Sequence, residues 1–212
     1  NITVNAAVNQ PTISIPTTLT GTAGQTVQIP VILNTNGAPP APITGFDLAI
    51  VYDSNVLTIN SIDPGSALVG SWMVTPSFAS DPGKIGVDAS VSPGVATAIN
   101  GQIVIINATI KGASPLGASA LNLVMSTTMG IGPPTTVFTR LNDGATSSLM
   151  LSPAPTDGNS DANVDGTLTV AAAPNTAPVN TVPSLIAGTE DTNVPFTAGN
   201  VITVADTESA TV

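Results

Sequence analysis

The stretch from Ile43 to Leu57 limits the possible folds more than any other, because it joins a strict two-residue period to a turn that ends it. Phe46, Leu48, Ile50 and Tyr52 alternate with Asp47, Ala49, Val51 and Asp53. Such a repeat places one apolar row on a core and one mixed row outside, which is a strand and not a helix. Asp53-Ser54-Asn55 then supplies short polar side chains suited to bonding nearby backbone, after which Val56, Leu57, Ile59 and Ile62 resume an extended pattern. The local order is strand, turn, strand.

The same pattern recurs along the chain. Ile2, Val4, Ala6 and Val8 alternate before Asn9-Gln10-Pro11, a layout that returns at Thr167 to Pro174, so residues 1–11 read as a strand and linker trailing a preceding module. Thr12 to Ile15 is a first strand. Val27, Ile29, Val31 and Leu33 share a face with Pro30 opposite, and because proline has no amide to donate, this strand is expected at an edge or bulged. Ile85, Val87, Ala89 and Val91 face one way, and Lys84, Gly86, Asp88 and Ser90 the other. Gln102 to Ile110 is apolar on both faces over its first half, as a central strand would be. Leu121, Leu123 and Met125 form another strand, Thr135 to Phe138 and Ser147 to Leu151 flank the Asn142-Asp143-Gly144 turn, and Gly166 to Val170 closes the domain. No helical repeat runs longer than a turn or two. About nine strands separated by Gly/Pro turns define an all-β sandwich over residues 12–170. Its expected core unites Phe46, Leu48, Ile50 and Tyr52 with Val27, Ile29, Val31, Ile85, Val87, Val104, Ile106, Leu121, Leu123 and Leu168.

Composition removes whole classes of function. Three basic residues stand against thirteen acids, for a net charge of −10. Nucleic-acid binding needs clustered Lys and Arg and is excluded, and anionic membrane surfaces are disfavoured for the same reason. No apolar run approaches the ~20 residues of a membrane helix. With no His and no Cys, the chain lacks the usual general base, the thiol nucleophile and most transition-metal ligands, and aromatics at 3% leave no sugar-stacking platform. A non-enzyme is expected. Charged residues are only 8%, against about 25% in an ordinary soluble domain, and Thr, Ser, Asn, Ala, Gly and Pro take their place. Secreted and cell-surface β-proteins share that balance. No signal peptide precedes Asn1, so a mature or excised piece is expected. The sequons at Asn1 and Asn107 read as chance matches in a chain rich in Asn and Thr.

One stretch looks metal-like. Asp157, Asn159, Asp161, Asn163 and Asp165 place oxygen side chains at every second position, and a curled loop of this kind can converge on calcium. Ala162 stands where a helix-loop-helix calcium loop has glycine, and no bidentate Glu follows, so a plain polar loop stands beside the calcium reading. Glu190, Asp191 and Asp206 form a second metal candidate.

From Pro11 to Val170 the chain resembles bacterial cohesin domains. The likeness rests on a glycine turn before TVQIPVIL, the block GFDLAIVYDSNVL followed by SIDPG, a glycine before KIGVDAS, the GQIVIINATI strand and a terminal DGTLTV. Gly45 to Leu57 is its most specific part. The resemblance implies a nine-stranded jelly-roll sandwich and a non-catalytic, protein-binding role, commonly the capture of a dockerin module. No motif here assigns dockerin-contact residues.

After a linker at residues 171–178, the sequence from Asn175 resembles the opening of cadherin-like and related Ig-like repeats of bacterial adhesins, through PVN, an EDT block and ITVAD. Residues 179–212 are too few to bury a core. Val201, Ile202, Thr203, Val204 and Ala205 form a β-branched segment whose backbone needs a partner, and the expectation is strand donation to another copy. Two functional readings follow. One is an extracellular structural or adhesive module assembling head to tail into a filament, and the other is a cohesin-type module that captures a dockerin-like partner.

Overall fold

The computed structural model describes residues 10–39, 41–130, 135–144, 148–157, 161, 163–182, 188–191, 193 and 202–206. The chain divides into two compact units, Asn1–Ala172 and Ala173–Val212. In the first unit the strands run β1 (Thr12–Ser14), β2 (Leu19–Thr22), β3 (Thr26–Asn34), β4 (Ile43–Tyr52), β5 (Leu57–Pro64), β6 (Met73–Ser77) and β7 (Lys84–Val95). They continue with β8 (Asn100–Ile110), β9 (Gly117–Leu123), β10 (Ser126–Met129), β11 (Thr135–Phe138), β12 (Arg140–Asn142), β13 (Ser148–Leu149) and β14 (Gly166–Ala171). Among the described residues there is no helix, and so none long and apolar enough to cross a membrane.

Two sheets pack face to face as a jelly-roll sandwich. The first has the order β1-β3-β8-β5, and the second runs β13-β12-β4-β9-β14-β2 with β7 and β6 joined to the other edge of β4. The opening strand-turn-strand therefore crosses between sheets: β4 and β5 do not pair, and the turn carries the chain over the core. Asp53 makes it, with Oδ1 accepting from Asn55 N–H at 2.8 Å and its carbonyl accepting from Val56 and Leu57. All fourteen residues expected in the core are buried, and Phe46 packs its ring 5.5 Å from that of Trp72. Burying each Val, Leu, Ile or Phe contributes about 1.5–3 kcal/mol, so this alternation is the principal support of the fold.

β3 is not an edge strand, since it lies between β1 and β8, and Pro30 itself stays in register opposite Ile105. β1 pairs only with Ile32, Leu33 and Asn34, so β3 has an open side at Pro30, and a bulge follows between Val31 and Ile32. β8 is central, between β3 and β5. Three other expectations need correction. The outer row of β4 is not exposed: Asp47 and Ala49 are buried. Met125 lies beyond the end of β9 and is exposed, so it does not continue that strand. The partner of Ser148–Leu149 across the turn at Asn142 is the short strand β12, not β11, which instead forms a hairpin with β10.

That hairpin explains the burial of the outer row. Gly86 pairs with Ala49 across β7 and β4, and a Cβ at Gly86 would lie 2.7 Å from Met129 Sδ and 3.1 Å from Val137 Cγ2. The hairpin thus lies on the outer face of the second sheet where glycine leaves room. Lys84 Nζ donates to the Thr128 carbonyl at 2.7 Å, and Gly130 N–H donates to Asp81 Oδ2 at 2.7 Å, tying the β10 arm to the start of β7. Between β12 and β9 the edge of β4 has a gap, which Thr139 closes. Its hydroxyl accepts from Ala49 N–H at 3.0 Å and donates to the Val124 carbonyl at 2.6 Å.

In the second unit β15 (Val179–Thr181) pairs antiparallel with β16 (Thr203–Ala205), Val179 opposite Ala205. This corrects the premise that Thr203, Val204 and Ala205 find no ladder partner in their own tail. Both strands are exposed, as is Ile202; Val201 and the expected strand at Ile2 to Val8 lie outside the described residues.

Candidate functional site

The acidic loop before β14 is held by hydrogen bonds to its own backbone and to β9. Asp161 Oδ2 accepts from Thr156 N–H at 2.7 Å, and Asp161 Oδ1 accepts from the Thr156 hydroxyl at 2.9 Å. Asp165, buried, accepts from Leu123 N–H at 2.8 Å through Oδ1 and from Asp161 N–H at 2.6 Å through Oδ2. Asp157 Oδ1 accepts from Ser126 N–H at 3.1 Å. Asn163 turns the chain at φ 68° and is exposed. Asp161, Asn163 and Asp165 line one hollow of about 140 Å³, while Asn159 lies outside the described residues. Glu190 and Asp191 sit exposed at a turn, with Asp191 at φ 69°, and Asp206 follows β16. Among the described residues, no three His, Cys, Asp or Glu side chains converge as metal ligands.

A row of polar side chains that sequence reading did not assemble crosses the outer face of the second sheet. Register places Arg140 of β12 opposite Asp47 of β4, Asp47 opposite Asp88 of β7, and Asp88 opposite Thr75 of β6. Arg140 Nε donates to Asp47 Oδ2, and the Arg140 guanidinium also lies 5.5 Å from the centre of the Phe138 ring. Asn142 Nδ2 donates to the same carboxylate oxygen at 3.4 Å. Asp88, exposed on the sheet surface, has its pKa raised, first by partial desolvation of its carboxyl and then by the hydrogen bond and negative charge of Asp47, with Arg140 acting in opposition. The arrangement is a row of one guanidinium and two carboxyl groups on a sheet surface. It holds no nucleophile paired to a base.

A groove of about 470 Å³ opens beside β9, past the end of β4. Val51, Tyr52, Asp53 and Val56 line it together with Pro115, Leu116 and the Gly117 to Ala120 part of β9. Leu116 is 66% exposed. On the opposite sheet, the outer face carries a polar ladder: Gln28 Nε2 donates to Asn107 Oδ1 at 3.1 Å, and Asn107 Nδ2 donates to Ser61 Oγ at 3.0 Å and Asp63 Oδ2 at 2.6 Å. The sequon residue Asn107 is thus part of that ladder.

Two sheets packed face to face with this strand order define an all-β jelly-roll sandwich as the class of protein. The family can be stated as well: the cohesin domain model matches residues 11–146, and the chain belongs to that family. Among solved structures it is similar to the OlpA cohesin in a cohesin–dockerin complex from Clostridium thermocellum. The TM-score there is 0.56 at 16% identity, with 77% of this chain and 100% of that chain covered. A non-cellulosomal cohesin of the hyperthermophilic archaeon Archaeoglobus fulgidus matches with TM-score 0.53, 17% identity and coverages of 76% and 91%. The sixth cohesin of scaffoldin B from Acetivibrio cellulolyticus, in complex with a Cel5 dockerin mutant, matches with TM-score 0.54, 20% identity and coverages of 76% and 99%. No curated protein matches the chain by sequence.

Proposed function

We propose that the sandwich of residues 12–170 is a non-catalytic, extracellular protein-binding module that captures a dockerin-like partner. The observation that carries this reading is the cohesin family match across residues 11–146, supported by neighbours solved in complex with dockerins. The absence of His and Cys from the sequence agrees with a role without catalysis. Calorimetry of the full chain against a panel of dockerin modules tests it. A one-to-one complex with Kd below about 1 μM is the expected result, and silence across the panel would sink the reading.

The filament reading has less behind it. Its premise is a segment without a ladder partner in its own tail, whereas Thr203–Ala205 pairs along one edge with Val179–Thr181. A tail that begins an adhesin-type repeat fits the same pairing, with the hairpin as the first piece of a longer module. Calcium at Asp157 to Asp165 is an independent proposition, which chelation tests.

A further inference from the structure

We propose that the open edge of β9 at Ala118 and Ala120 receives an extended peptide of a partner protein by strand addition, with a basic residue of the peptide set beside Asp53. This goes beyond the capture of a folded module and does not rest on it.

Alternation along β9 decides which backbone groups face the groove. Leu123 N–H points toward β14, where it meets Asp165, and Val124 N–H points toward β4, where it meets the Ala49 carbonyl. Counting toward the start of the strand in twos, the N–H and C=O groups of Leu121, Ser119 and Gly117 face β14, and those of Asn122, Ala120 and Ala118 face the β4 side. Asn122 meets Val51 there, but β4 ends at Tyr52. Ala118 and Ala120 therefore present their backbone groups to the groove with no strand opposite them among the described residues.

An unpaired edge of this kind is a template for another strand, and main-chain hydrogen bonds would supply the affinity. Only methyl side chains stand at the edge, so a backbone can close to the usual strand spacing of about 4.8 Å. Leu116, Val51 and Val56 give apolar cover for alternate side chains of the guest. Charge selects the guest. Among the described residues Asp53 is the one carboxylate lining the groove, and the chain as a whole carries −10, so a basic peptide is attracted and a second copy repelled.

The test titrates the isotope-labelled full chain with the doubly capped peptide Lys-Thr-Val-Thr-Val-Lys and follows amide shifts and hydrogen exchange. Ala118 and Ala120 amides should gain the largest protection. Ala120→Pro removes a donor that faces the groove and no bond to β14, and it should weaken binding about tenfold with the fold intact. Replacing both lysines of the peptide by glutamate should weaken binding by a similar factor. No binding at about 1 mM peptide, unprotected Ala118 and Ala120 at saturation, or undiminished affinity of Ala120→Pro overturns the proposal. If that variant fails to fold, protection in the wild-type chain decides alone. Protection of the same two amides by self-association, or by a bound dockerin module in place of the peptide, also overturns it.

Discussion

Asp88 and Thr139 are the two residues whose surroundings the structure makes most consequential. Asp88 has its pKa raised by partial desolvation and by Asp47, so the folded state holds that proton more tightly than the unfolded chain does. Its contribution is therefore fully present below the ordinary Asp value and is lost as pH rises through the raised one. Asp88→Asn should accordingly raise the melting temperature near neutral pH, and the gain should shrink as the buffer approaches about pH 4. Melting curves at both ends of that range check the sign. Thr139 carries a different load, because one hydroxyl serves Ala49 N–H and the Val124 carbonyl at the break in the β4 edge. Thr139→Val keeps the shape and leaves both groups buried without that partner. A loss of about 1–3 kcal/mol is expected in denaturant unfolding.

Among the elements, the acidic loop is the one whose behaviour is open to direct measurement. Asp165 joins it to β9 through Leu123 N–H and to itself through Asp161 N–H. Asp165→Ala should cost about 1–3 kcal/mol by orphaning those amides. With these bonds holding the loop, a calcium chelator should leave the melting temperature of the full chain unchanged; a drop would show instead that a cation adds stability by mass action.

Strands with sustained alternation are legible in the amino-acid sequence itself, as β3, β4, β7 and β8 show. Other elements are not. β6 spans only Met73–Ser77 with Pro76 inside it, and proline in a run demotes it as a strand. β10 and β12 are short and show no apolar alternation, so although Thr135 to Phe138 reads as a strand, nothing local announces β10 as its hairpin partner or places the pair over β4 and β7. Gly86 is the one sign, since glycine inside a strand often marks close approach by another part of the chain. The Arg140–Asp47–Asp88 row and the groove by β9 depend on register between strands far apart in sequence, and local pattern does not encode register at that distance.

At the level of the whole molecule, the pairing of β15 with β16 bears on assembly. Sedimentation of the full chain should show a monomer at low and high concentration, and removing residues 173–212 should not change that state. A mass that grows with concentration and falls on truncation would restore the filament reading.

The parallel pairing of β14 with β2 also sets a schedule. Leu19 meets Leu168 in that ladder, so an early part of the sandwich waits for one of its last strands. A chain emerging from a ribosome or crossing an export channel cannot complete the second sheet until that late segment is free. The waiting interval exposes β2 and the edge of β9 that β14 will cover, and closing so long a loop slows the final step. Folding kinetics are thereby coupled to the order of synthesis, and a chaperone that shields this half-built sheet would shorten the time in which two nascent chains could pair wrongly.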